Sequence, residues 1–227
     1  MKSDRTAFPE DWRSLERDVL NMRDTSVRSA VLGLLRGDRL TVPRPQAEAP
    51  FLDVAVVGGG RWRSVDQHPD SLTMMVFYRG YHCPICRGYL KQLDQMLDEF
   101  TRAGVSVIAV SGDTEANARQ SVAEWNLENL SVGYGQTVES MRDWGLFVSE
   151  GIKEGEPELF GEPGIFLIRP DGTLYTTMLN SVPFARPRIE DVLQSVQWVR
   201  EHDYPARGEE RVFSGAATSR SFESITR

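Results

Sequence analysis

Two cysteines, Cys83 and Cys86, are the only ones in the chain, and they sit three residues apart in the segment Phe77-Tyr78-Arg79-Gly80-Tyr81-His82-Cys83-Pro84-Ile85-Cys86-Arg87. An apolar run of strand length, Leu72 to Tyr78, precedes them, and a helical pattern follows. The thiolate is the reactive form of cysteine, and the free N–H groups and dipole at a helix start favour negative charge. A Cys-x-x-Cys in this setting reads as a redox dithiol. The open helix end is expected to leave Cys83 partly exposed and first to react, with Cys86 shielded in the first turn. Pro84 suits the first helical position and stiffens the reach between the sulfurs.

Other readings of the same residues stay open. The pair could be two small buried hydrophobes. A metal site would have to add His82 or His68; structural zinc usually takes four ligands, and adjacent His82 and Cys83 would struggle to face one ion. His82 reads more readily as an exposed neighbour than as a general base. Arg79 either favours the charged sulfur or is a surface ion-pair partner. Tyr81 reads as a packing residue.

The elements that must hold these residues alternate along the chain. Phe51 to Val57, the Gly58-Gly59-Gly60 turn and Arg61 to Val65 predict a hairpin, and no Lys-Ser/Thr or helix follows the glycines to make them a phosphate loop. Leu72 to Tyr78 and Val105 to Val110 predict strands buried on both faces. Between them Leu90, Leu93, Leu97 and Phe100 form the inner stripe of one helix running from about Cys83 to Ala103, ended by Gly104. Asp113 is placed to cap a helix with Ala118, Val122 and Trp125 inside. A short strand near Leu130 to Tyr134 and a short helix with Val138, Met141 and Trp144 come next. Residues 149–158 read as an exposed loop. Ile165 to Ile168 and Leu174 to Met178 flank the turn Arg169-Pro170-Asp171-Gly172. A last amphipathic helix carries Ile189, Val192, Leu193, Val196 and Val199, with Pro187 near its first turn. This order predicts an α/β fold with a central mixed β-sheet flanked by helices.

Upstream, Trp12, Leu15, Val19 and Met22, then Val27, Val31 and Leu34, fall at helical spacing, and the prolines of Thr41 to Pro50 mark a linker. The organisation expected is an N-terminal helical extension and linker over 1–50, one domain over 51–205 and a polar C-terminal tail over 206–227. The 227 residues, 40% hydrophobic and 26% charged, are ordinary for a globular protein. A net charge of −7 disfavours nucleic acid as a partner. No apolar stretch reaches the ~18 residues of a membrane helix. Met1 to Thr6 lead into Glu10, Asp11 and Trp12 rather than an apolar run, so a cytoplasmic location is expected, where a cysteine pair is more often catalytic or metal-binding than a staple.

Taken together, Tyr78-Arg79-Gly80 with Cys83-Pro84-Ile85-Cys86, Ser111-Gly112-Asp113-Thr114, Val132-Gly133-Tyr134-Gly135 and Glu162-Pro163-Gly164-Ile165-Phe166-Leu167-Ile168-Arg169-Pro170-Asp171-Gly172 resemble peroxiredoxin-like proteins of the AhpC/TSA group. The resemblance covers roughly residues 50–205 and implies a thioredoxin-like fold. It implies that Cys83 attacks and that Cys86 resolves by closing a disulfide with it, with Arg79, Pro84, His82 and Pro163 in support. Pro163 stands where thioredoxin-like proteins carry the cis-proline that packs beside the active sulfur. No cofactor beyond the cysteine pair is implied. The partners implied are a peroxide or disulfide substrate and an external thiol reductant such as a thioredoxin, and a homodimer is compatible with the resemblance.

The sequence departs from the related patterns at named places. Gly80 and Val76 stand where typical peroxiredoxins have a threonine and a proline, and Phe77 stands where thioredoxins bury an aspartate. The missing hydroxyl implies slower peroxide reduction than in typical peroxiredoxins. The competing class is a non-enzymatic redox sensor or binding module on the same fold, which would oxidise once without efficient recycling.

Overall fold

The computed structural model describes residues 42–208. The helices expected before Thr41, and the tail beyond Gly208, lie outside the described residues. In chain order the elements are β1 (Asp53–Val56), β2 (Arg61–Arg63), β3 (Leu72–Phe77), α1 (Pro84–Gln95), α2 (Leu97–Arg102), β4 (Val105–Val110), α3 (Glu115–Trp125), β5 (Ser131–Tyr134), α4 (Val138–Asp143), β6 (Val148–Glu150), β7 (Leu159–Gly161), β8 (Gly164–Ile168), β9 (Leu174–Leu179) and α5 (Ile189–His202).

Seven strands form one mixed sheet in the order β2-β1-β5-β4-β3-β8-β9, and β6 and β7 pair separately. β3, β4 and β5 run parallel, because crossover helices join them; β8 lies antiparallel to β3 and pairs in turn with β9 through a tight turn. All six residues of β3 are buried, as its unbroken apolar run requires for a central strand covered on both faces. Alternate residues serve opposite faces. Met74, Val76 and Tyr78 pack with α1, α2, α3 and α5; Met75 and Phe77 pack with Met141 of α4, Trp144 and Phe166. Trp125 and Trp144 are both core residues, as their spacing predicts.

Four departures from the sequence reading have physical causes. The single helix expected from Cys83 to Ala103 is two, α1 and α2, separated at Met96 (φ −99°, ψ 5°), whose N–H is shared among carbonyls of the last turn. The joint lets Phe100 continue into the core. Asp113 does not cap α3: Thr114 does, its hydroxyl accepting from the Asn117 N–H at 3.3 Å, and Asp113 turns inward. The loop 149–158 is not wholly exposed, because β6 and β7 zip its ends together and draw Glu156 against Arg79. The segment read as a linker docks on the sheet edge: Gln46 N–H donates to Leu174 O at 2.7 Å, Leu174 N–H to Ala47 O at 2.8 Å, and Ala49 N–H to Gly172 O at 3.0 Å.

Two features fix α1 relative to the sheet. Asp94, buried on its inner side, accepts from the N–H groups of Asn129 (2.9 Å) and Leu130 (2.7 Å) at the entry to β5. Tyr89 donates its hydroxyl to Pro187 O at 2.8 Å, tying the helix to the approach to α5. The middle and the C-terminal end of α1 are therefore tied to different neighbours.

Candidate active site

Cys83 is the N-cap residue of α1, and Pro84 is its first helical residue. The extended backbone of Cys83 turns its sulfur over the free end of the helix, where it accepts the Cys86 N–H at 3.2 Å. Both cysteines are free thiols. Both are also buried, Cys83 to 2% and Cys86 to 0% exposure, so the partial exposure expected of Cys83 is not found. The open helix end is roofed by the core cluster on that face, of which both cysteines are members.

The electrostatics of the pair are asymmetric. A hydrogen bond from the Cys86 thiol draws the Cys83 thiol down to about 6, against the opposing effect of burial; the Cys86 N–H and the charges of Arg79 and Arg186 add to it. The same hydrogen bond, with burial and the negative charge of Cys83, drives the Cys86 thiol strongly up. One sulfur is thus a thiolate at neutral pH and its neighbour keeps its proton.

Arg79, at the exit of β3, lies near this pair with its side chain 16% exposed. Its guanidinium stacks on Phe160 at 4.5 Å and faces Glu156 at 3.4 Å and Glu162 at 3.6 Å. Glu162 is itself buried and accepts from the Ser149 hydroxyl at 2.7 Å. His82 is half-buried rather than exposed: its ring lies 4.8 Å from Phe160, and neither ring nitrogen has a hydrogen-bond partner. Burial, with the charge of Arg79, lowers its pKa, so the ring is neutral at pH 7. Tyr81 packs flat on Trp125 at 6.1 Å while its hydroxyl donates to Glu124. Pro163 precedes Gly164, the residue paired with Phe77, and so lies at the end of the sheet from which the chain runs to Cys83. Its peptide bond is trans, as are all those among the described residues.

Gly80 is glycine for a geometric reason. Its φ is +132°, and a Cβ there would lie 2.7 Å from the Asp113 carboxylate. That carboxylate accepts from the Tyr81 N–H at 2.9 Å and the Ser111 hydroxyl at 3.1 Å, and burial raises its pKa. The space that a side chain at position 80 would need is thus taken by Asp113, which arrives from the loop after β4.

Two of these groups escape sequence reasoning. Asp113 had a satisfactory local role as a cap, and nothing in its neighbours indicates the inward turn. Arg186, whose Nη2 donates to Cys86 Sγ at 3.8 Å, is a hundred residues away in the chain. Among the described residues, no group of three or more His, Cys, Asp or Glu side chains is arranged to hold a metal.

A mixed sheet with a dithiol at the β3–α1 junction defines a thioredoxin-like protein. The AhpC/TSA family profile matches residues 45–177, more than half of the chain, and the chain belongs to that family of thiol-based oxidoreductases. Solved structures similar in fold include the reduced 2-Cys peroxiredoxin of Plasmodium vivax (16% identity over 70% of this chain and 83% of that one, TM-score 0.58). A peroxiredoxin-like protein from Aquifex aeolicus matches at 18% identity over 70% and 89%, TM-score 0.58. AhpC of Mycobacterium bovis matches at 15% identity over 75% and 99%, TM-score 0.59. No curated protein matches the chain.

Proposed function

We propose that this chain is a dithiol thiol peroxidase for small hydroperoxides, with Cys83 the attacking and Cys86 the resolving thiol. The observation that carries the reading is the Cys86 N–H on the Cys83 sulfur at the mouth of α1, 3.2 Å away. A thiolate so placed is stabilised without being neutralised, the condition for a nucleophile at neutral pH. The burial of Cys83 favours an oxidant of a few atoms over a bulky protein disulfide in the first step.

In the cycle the Cys83 thiolate attacks the terminal peroxide oxygen, the O–O bond breaks, and the departing hydroxide or alkoxide takes a proton from solvent to leave as water or an alcohol. Cys83 becomes a sulfenic acid. Cys86 then closes a disulfide with it, releasing water, and an external thiol donor reduces the disulfide by exchange. Arg79 supports the thiolate by its charge, Pro84 fixes the first turn, and His82 and Pro163 shape the approach. No cofactor beyond the two cysteines enters, and a cytoplasmic setting supplies the reductant.

A second reading, reduction of small disulfides by the same pair, is favoured by one specific feature: Gly80 offers no hydroxyl to position a peroxide. Stopped-flow oxidation by hydrogen peroxide and by a small disulfide, on wild type, Cys83→Ser and Cys86→Ser, decides between them. Cys83→Ser is expected to abolish turnover; Cys86→Ser is expected to oxidise once and accumulate a sulfenic acid. The rate of the first oxidation should rise with pH about a midpoint near 6, because the thiolate is the reactant. Full activity without Cys83 would refute the dithiol reading, and faster oxidation by the disulfide than by peroxide would move the chain to the second.

A further inference from the structure

Arg186 lies in the segment between β9 and α5 and is held from several directions. Its guanidinium carbon stacks 4.2 Å from the centre of the Tyr89 ring, and its Nε donates to Pro183 O at 3.0 Å. The residue before it, Ala185, sits in the left-handed region at φ +57°, a conformation that a residue with a Cβ adopts only when its surroundings require it. Those surroundings are visible: Asn180 Nδ2 donates to Ala185 O at 3.1 Å, and Tyr89 donates to Pro187 O at 2.8 Å. The segment is clamped to α1 so that Nη2 meets the Cys86 sulfur at 3.8 Å. Nη1 is buried with no hydrogen-bond partner. Among the described residues Arg79 is countered by two carboxylates, whereas no ion pair engages Arg186.

We propose that Arg186 is the group that activates Cys86 for resolution, holding its sulfur as a thiolate while it attacks the oxidised sulfur of Cys83. This assignment rests on the dithiol cycle proposed above. In that step Cys86 gives up its proton and its sulfur attacks the sulfenic sulfur of Cys83. The S–S bond forms as the S–O bond breaks, and the departing hydroxide takes a proton to leave as water. The Cys86 sulfur is oxidised and the Cys83 sulfur reduced, the peroxide having supplied the oxidising equivalents in the first step.

The order of events follows from charge. In the reduced pair the Cys86 thiol donates a hydrogen bond to the Cys83 thiolate, which keeps Cys86 protonated and unreactive. Oxidation removes the negative charge of Cys83, and with it the largest penalty on a second thiolate. Burial then remains as the opposing effect, and Arg186 as the larger of two favourable ones, the other being the Arg79 backbone. The titratable or charged groups that face Cys86 and Arg186 are Cys83, Tyr89 on α1, and Tyr78 and Arg79 at the end of β3, with Glu190 of α5 acting on Tyr89. Burial raises both phenols, so neither titrates near neutrality.

The test uses the fact that Cys83→Ser leaves a single thiol in the chain. The alkylation rate of Cys86 by iodoacetamide, read by mass against pH, should have its midpoint about one unit or more higher when Arg186→Met is added, a slowing of about tenfold below the midpoint. Arg186→Lys should recover part of the shift, and it decides the matter if the Met variant fails to fold. With the cysteine pair intact, rapid quenching after peroxide should find sulfenic acid accumulating in Arg186→Met and little in wild type. Superimposable pH profiles with and without Arg186 would overturn the assignment. Wild type that forms neither sulfenic acid nor disulfide would instead overturn the dithiol cycle, and the single-thiol profiles would still decide whether Arg186 acts on Cys86.

Discussion

The two faces of the central sheet are built from the same strand and are unlike in character. On one face Phe77 meets Trp144 at 5.3 Å and Phe166 at 5.5 Å, and Trp144 meets Phe166 edge-on at 4.9 Å. That core is aliphatic and aromatic, and the polar atom it buries without a partner is the indole Nε1 of Trp144. On the other face Val76 and Tyr78 pack with both cysteines, and the buried atoms Tyr78 Oη, Asp113 Oδ1 and Ser121 Oγ have no hydrogen-bond partner. Buried unpaired polar atoms cost stability and seldom persist without a role. The difference teaches where the molecule can afford imperfection: the aromatic face supplies rigidity, and the cysteine face uses that rigidity to hold charges and protons in unfavourable places.

The largest test of this division is Phe166→Ala. It removes a buried ring touching two others, and about 3–5 kcal/mol of stability should be lost in chemical denaturation. The pH midpoint of Cys83 alkylation in the remaining folded protein should stay where it was. A midpoint that moved with the lost ring would show that the two faces are not separable.

A smaller effect is expected at Gly80. Gly80→Thr would restore the residue type of a peroxiredoxin, yet the added Cβ would stand 2.7 Å from Asp113 on a backbone at φ +132°. The substitution should cost about 1–3 kcal/mol in thermal or denaturant unfolding, and it should not quicken peroxide reduction. A stable and faster Gly80→Thr would mean that Asp113 does not fill the space a side chain at position 80 would need.

How much of this was legible follows from distance along the chain. The cysteine pair, its strand-to-helix junction and the β8–β9 hairpin depend on neighbouring residues, and Pro84, Pro170 and Gly172 announce them. The break at Met96 carries no Gly or Pro to announce it, and the local sequence on both sides would continue one helix. The surroundings of the sulfurs were illegible for the same reason. Arg186, Glu156, Glu162 and Asp113 reach the site from four separate loops or strand ends. Asp113 read as a helix cap and Glu156 as part of an exposed loop, and nothing local singled out Arg186. The pairing of β4 with β3 brings in Asp113, and the folding of β8, β9 and the β6–β7 ribbon about the end of β3 brings in the others.

The smallest expected effect probes that ribbon. Glu156 accepts the N–H groups of Ile152 (2.9 Å) and Lys153 (3.3 Å) with one oxygen and faces Arg79 with the other. Glu156→Gln keeps an acceptor for the loop but removes the negative charge, leaving Arg79 countered by Glu162 alone. Arg79 favours the Cys83 thiolate, so a less compensated Arg79 should favour it further. The Cys83 alkylation midpoint should therefore move down, by less than about one pH unit since the pair is partly open to solvent screening. The His82 titration, followed by NMR, should move the same way, because Glu156 opposes the lowering there. Movement of His82 without Cys83 would place the influence of Arg79 on the ring and not on the sulfur, and the ribbon would then be a wall of the site without a part in its charge.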